Sequence, residues 1–131
     1  MRSQGVLAGY RLHLAAFALT IHGLIHFLGI GAYFEVIQMA DLPYKTTLLG
    51  GAIDVGDTGI RIFAVLTAVA GIGFIVSAVG LVSDWRYWRP LLVAITVFSL
   101  ILTTLDWTVA SMGTLANLTI LAVLFVQLRQ A

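Results

Sequence analysis

Four uninterrupted apolar stretches make up most of this chain, from about Leu12 to Phe34, Ile62 to Val82, Trp88 to Leu105 and Val109 to Leu128. Each is close to the roughly 20 residues that a helix needs to cross the hydrocarbon of a bilayer. A soluble fold has little use for such stretches, because its helices must turn a polar face to water. Composition agrees, with 60% hydrophobic residues against 10% charged and a mean hydropathy of +1.03. The expectation is all-α: an integral membrane four-helix bundle forming a single domain across the 131 residues. One long polar loop at residues 35–61 joins the first two spans, and the other connections are short. The opening "MRSQGVLAGYRLHLAAFALT" has a positive start. Its apolar run is too long for a signal-peptide core and lacks a small-residue cleavage site, so it reads as a retained anchor.

Charge sets the expected orientation. With four spans, the N-terminus, the second loop and the C-terminus share a side, and that side holds Arg2, Arg11, Arg86, Arg89 and Arg129. The opposite side holds Lys45 and Arg61 among Glu35, Asp41, Asp54 and Asp57. The positive-inside rule then puts both termini in the cytoplasm. Trp85, Tyr87 and Trp88 would form the inner interfacial belt, and Trp107 the outer anchor. A net charge of +1 with no basic run argues neither for a nucleic-acid nor for an acidic partner, so no nucleic acid is expected, and the absence of cysteine removes thiol chemistry.

The polar residues inside the spans are few enough to place by helical arithmetic at about 100° per residue. Ala15, Ala18, His22, His26, Gly29 and Tyr33 share one stripe of the first span, opposite Phe17, Leu24 and Leu28. Ala70, Gly73, Ser77 and Gly80 share a face of the second, and Thr96, Ser99, Thr103 and Asp106 a face of the third. Ala110, Gly113 and Asn117 do so on the fourth. Small residues let helices approach in lipid and polar ones bond across the gap, so these stripes are expected to face inward. His22 falls near the midplane and His26 about 6 Å further out. A polar funnel opening outward follows, with Asp106 at the mouth, His26 and Asn117 below it, and His22 at the floor.

Several chemistries fit these residues. Ionisable groups inside a membrane suggest function, and imidazole changes charge near neutral pH, so His22 and His26 are candidates for a ligand site or proton relay with Tyr33, Thr103, Asp106 and Asn117. The plainer reading makes them neutral rings that hydrogen-bond to neighbours and fix helix register. A metal site needs three or four converging ligands, and the i, i+4 histidine pair supplies two. Haem held by two histidines of different helices is excluded in a monomer, because His13, His22 and His26 share the first span. Asp54 and Asp57 are expected to cap the second span, with Asp57 and Arg61 paired at i, i+4. The glycines of "LLGGAIDVGDTG" lack the Gly-Lys-Ser/Thr ending of a phosphate loop.

"IHGLIHFLG", "LPYKTTLLGGAIDVGDTGIRIF", "WRPLL" and "LDW" followed by "GTLANLTILAVL" together resemble a family of small four-span bacterial membrane proteins. The resemblance runs from about Ile21 to Leu124. That family's shared positions fall here on His22 and Gly23, Asp54, Trp88 to Pro90, and Gly113 with Asn117. It implies the architecture and a bacterial inner membrane, and it carries no activity. DoxX-like proteins are similar in their four-span plan alone. The favoured expectation is a non-catalytic ligand-binding or accessory subunit of a membrane complex. The alternatives are a membrane oxidoreductase with a quinone or haem beside His22 and His26, and a proton-coupled transporter or channel built as a homo-oligomer.

Overall fold

The computed structural model describes residues 2–130; Met1, Ala131 and the side chains of residues 2–4 and 7, that of Arg2 among them, lie outside the described residues. Helix α1 spans Arg2–Ile25 and a short α2 Leu28–Tyr33; α3 spans Gly56–Val82, α4 Trp88–Leu105 and α5 Trp107–Gln130. Together α1 and α2 form one of four helical segments long and apolar enough to cross a membrane, and α3, α4 and α5 are the others. The chain is a helical bundle. Its outward surface is strongly apolar: Phe17 is 66% exposed and Met112 75%.

Helix α3 is the hub. Ile60, Ala64, Ala70, Phe74 and Ser77 along it are enclosed, with α1 and α2 against one side and α4 against another. The contact with α1 is backbone to backbone. A methyl group on Gly71 would stand 2.5 Å from the Gly23 carbonyl oxygen, and one on Gly23 2.7 Å from that of Gly71. In a lipid surround, where no hydrophobic effect acts between helices, close approach of this kind would supply the dispersion that holds them. Helix α5 is tied mainly to α4, and only Asn117 and Leu124 of it are buried. The helix carries a kink at Ala110.

Two of the expected spans differ in form. The first is broken at His26 and Phe27, whose N–H groups turn to the carbonyls three residues back, Gly23 at 3.2 Å and Leu24 at 3.1 Å. Helix α3 starts at Gly56, before its apolar stretch, and the Asp54 carboxylate accepts the Gly56 N–H at 3.0 Å. Asp57 lies in the first turn, where a negative charge suits the helix dipole. The expected Asp57–Arg61 pair does not form. Asp57 accepts the Tyr44 hydroxyl, and Arg61 lies 3.9 Å from Glu35, because the loop folds back over the helix and offers both groups nearer partners.

That loop is ordered into a two-stranded antiparallel hairpin, β1 Thr47–Leu48 with β2 Ile53–Asp54, around a 3-10 turn at Leu49–Gly51. It covers one end of the bundle. There Ala32, Tyr33, Leu48, Ile60, Phe63, Ala64 and Leu102 form one apolar core. A second core toward the termini gathers Ala16, Leu19, Phe74, Ala78, Leu92 and Leu124.

Candidate functional site

The break in the first span is where the site begins. Because the His26 N–H has moved to Gly23, the His22 carbonyl needs another donor, and the His26 ring supplies it: Nδ1 lies 2.8 Å from that oxygen. A side chain inserted into the helix ladder is one of the few causes of a sharp helix irregularity. The other ring nitrogen, Nε2, faces the Ser99 hydroxyl of α4 at 2.7 Å. Asn117 of α5 completes the group, its Nδ2 at 2.8 Å from Ser99 Oγ and 3.3 Å from Thr103 Oγ1, its Oδ1 at 3.0 Å from His22 Nε2. The two rings meet edge-on, 4.8 Å between centroids, and Phe74 of α3 packs on His22 at 4.6 Å. His22, His26, Ser99, Thr103 and Asn117 therefore join three helices in one polar knot.

The hydrogens in this knot can be assigned from the partners. A carbonyl only accepts, so His26 Nδ1 carries its proton and Nε2 receives the Ser99 O–H. Ser99 then accepts from the Asn117 amide nitrogen. Thr103 donates to the Leu100 carbonyl at 3.2 Å, so its oxygen also takes an Asn117 N–H. Both anchors turn the amide nitrogen toward α4 and leave its oxygen facing His22, which must bring Nε2–H. The amide accepts on one side and donates on the other, so it joins the rings without passing a proton between them.

Tyr33 and Asp106 belong to a different cluster. The Tyr33 hydroxyl donates to Asp106 Oδ2 at 2.5 Å, and the Lys45 ammonium pairs with Oδ1 while also donating to Thr108 Oγ1 at 3.2 Å. Asp106 sits at the turn between α4 and α5, and its carbonyl accepts the Val109 and Ala110 N–H groups at 3.1 and 2.9 Å. Asp106 thus joins α2 and the loop through its carboxylate and the start of α5 through its backbone carbonyl. No hydrogen bond links it to either histidine. The six candidates from the sequence are therefore divided, with His22, His26, Thr103 and Asn117 in one cluster and Tyr33 and Asp106 in the other.

The expected funnel is corrected by this arrangement. Asp106 is only 5% exposed, because the loop delivers Lys45 onto it and closes that end. Open space lies on the other side of the histidines. A cavity of about 990 Å³ separates the termini-side halves of α1 and α5, with Ala15, Ala18 and Leu19 on one wall and Ala116, Ile120 and Val123 on the other. Arg11 and Gln127 lie along its termini-side part, and His22 is its innermost polar residue. Ala15 and Ala18, expected to pack inward, line this cleft because α5 stands away from α1 below the His22–Asn117 bond.

Two residues of these clusters, Ser99 and Lys45, were not among the sequence candidates. Ser99 shares the inward polar stripe of the third span with Thr96, Thr103 and Asp106; its position opposite His26 needed the tertiary arrangement. Lys45 left a clearer trace, as the sole lysine of the chain, in the same loop as four acids and available to a carboxylate that burial would otherwise leave unpaired. Other hydroxyls on the stripes stay local, Ser77 donating to Gly73 and Thr96 to Leu92 on their own helices. Among the described residues no three His, Asp or Glu side chains are grouped to hold a metal ion. Comparison with protein-family models, curated proteins and solved structures found no match to the chain.

Proposed function

We propose that this protein is a multi-pass bacterial inner-membrane protein, both termini cytoplasmic, that binds a lipophilic small molecule non-catalytically in the cleft between α1 and α5. The cleft carries the reading. Its volume of about 990 Å³ matches the upper part of the range of small-molecule pockets, about 300 to 1,000 Å³. Its walls are apolar, and one accessible imidazole stands at the inner end, which is the lining expected of a site for an amphiphile. From Arg11 to His22 the helix rises about 16 Å, room for an elongated body lying along the bundle. The exposed apolar surface and the arginines gathered toward the termini support insertion with that orientation. The bacterial membrane rests on the motif resemblance alone.

Extraction of the purified protein with organic solvent, followed by mass spectrometry, tests the reading. One lipophilic molecule per chain is expected from the natural sequence. The double substitution Ala15→Leu and Ala116→Leu fills the cleft from both walls and is expected to weaken retention about tenfold, equivalent to 1.4 kcal/mol, with the helical fold kept. Natural protein that retains no lipophile, or a stable oligomer in which residues 15 and 116 crosslink between copies, would overturn it.

A further inference from the structure

The hydrogen-bond pattern at the inner end of the cleft selects the kind of molecule that fits there. His22 has one nitrogen committed to Asn117 and one, Nδ1, without a protein partner. Among the described residues no enclosed side-chain nitrogen or oxygen lacks a partner, so Nδ1 is reachable from outside, and the cleft is the open space that His22 lines. The protonation of that nitrogen follows from atoms two side chains away. The His22 carbonyl holds the His26 proton on Nδ1, which turns the Ser99 O–H toward His26 and the Asn117 N–H groups toward Ser99 and Thr103. The Asn117 oxygen is left for His22, the proton of His22 goes to Nε2, and Nδ1 keeps its lone pair.

The reverse arrangement has a specific cost. Turning the Asn117 amide around would make Ser99 donate to it and accept from His26, so His26 would carry protons on both nitrogens. That buried imidazolium would have no carboxylate beside it, since Asp106 is engaged by Lys45 and Tyr33 and among the described residues no Asp or Glu forms an ion pair with His26. An unpaired buried charge is far more costly than a neutral ring with both nitrogens hydrogen-bonded. Neutrality of the knot therefore fixes the direction of every bond in it.

Resting on the cleft as a lipophile site, we infer that its ligand is an apolar molecule ending in a hydroxyl, a phenol or alcohol, whose O–H donates to His22 Nδ1. A head group that can only accept, such as a carbonyl or an ether, meets a lone pair and gains nothing there. His22 is the group that touches the ligand; Asn117 is a positioning residue that acts through it.

A matched pair of probes separates the two ideas. Binding of 4-decylphenol and of its methyl ether to the full chain in phosphatidylcholine nanodiscs is measured by equilibrium dialysis against empty discs. The phenol is expected to bind about fivefold more tightly, the effect of one hydrogen bond of ordinary net strength. His22→Phe is expected to bring the phenol down to the affinity of the ether and leave the ether within about twofold. Equal binding of the two probes to the natural protein would overturn the donor assignment and leave the cleft reading standing. Preference for the ether would overturn it too. Failure of both to bind would overturn the cleft reading and this inference with it. Should His22→Phe not fold, ¹⁵N spectra of histidine-labelled natural protein decide: His22 is expected as the Nε2–H form and His26 as the Nδ1–H form, and a proton on Nδ1 of His22 refutes the assignment.

Discussion

The two halves of the bundle are built from the same kinds of helix and end differently. Toward the loop, α2, α3 and α4 converge on Tyr33, Ile60 and Leu102, and Lys45 and Tyr33 close over Asp106. Toward the termini, α1 and α5 diverge below the His22–Asn117 bond and leave a cleft walled by alanines and branched residues. The difference shows that small residues permit close approach without enforcing it. Gly23 and Gly71 bring two backbones together because each fills the space a side chain would need. Ala15 and Ala116 both line the cleft, and among the described residues no hydrogen bond beyond His22–Asn117 draws α5 toward α1. A seal requires a partner that gains by closing, and only the loop end has one.

The largest break in this contrast is expected at the charge. Asp106→Ala leaves the hydroxyl of Tyr33, a residue only 1% exposed, and the mostly sheltered Lys45 ammonium without their carboxylate. Removing one member of a buried pair costs about 3 to 5 kcal/mol, and the partial exposure of Lys45 puts this case toward the lower figure. Thermal unfolding in detergent reads the loss, and hydrogen exchange should show it first in residues 35–55. A smaller loss is expected at the joint between the halves. Gly71→Ala places a methyl group against the Gly23 carbonyl and forces α1 off α3, about 1 to 3 kcal/mol by the measure of overpacked interiors. The same thermal assay checks it; an unchanged midpoint would mean that the helices slide apart freely and that the two halves are held alike.

The smallest effect sharpens the picture of the loop. The Tyr44 hydroxyl donates to the Asp57 carboxylate, and that bond, reinforced by desolvation and the negative charges of Asp57 and Glu35 and opposed by Arg61, raises its pKa above the usual value. A tyrosine whose folded pKa is raised contributes stability that is fully present below about pH 10 and lost as pH climbs through the raised value. Protection of the amides across residues 44–57, relative to their base-catalysed intrinsic exchange, is expected to fall above pH 10 in the natural protein. Tyr44→Phe should exchange faster at neutral pH and lose that alkaline step.

How much of this was legible depends on the range of the interaction. The stripe of Thr96, Ser99, Thr103 and Asp106 was readable because helical period alone decides which residues share a face, and all four are buried. The orientation of His22 and His26 toward other helices followed in the same way. The break at His26 was not readable, because a histidine that bonds its own helix and one that continues it have the same spacing. Lys45 could be noticed as the lone lysine, but its reach to Asp106 depends on a hairpin that brings distant segments of the chain together.

Hydropathy along the chain was enough to determine four apolar helices and the polar residues each would turn from lipid, since both depend on composition and a fixed rotation per residue. Which helices touch, which stand apart, and which nitrogen of His22 stays bare were settled only by the folded arrangement. Those outcomes depend on distances between side chains far apart in sequence, where a carbonyl, a hydroxyl and an amide must each find a partner in turn.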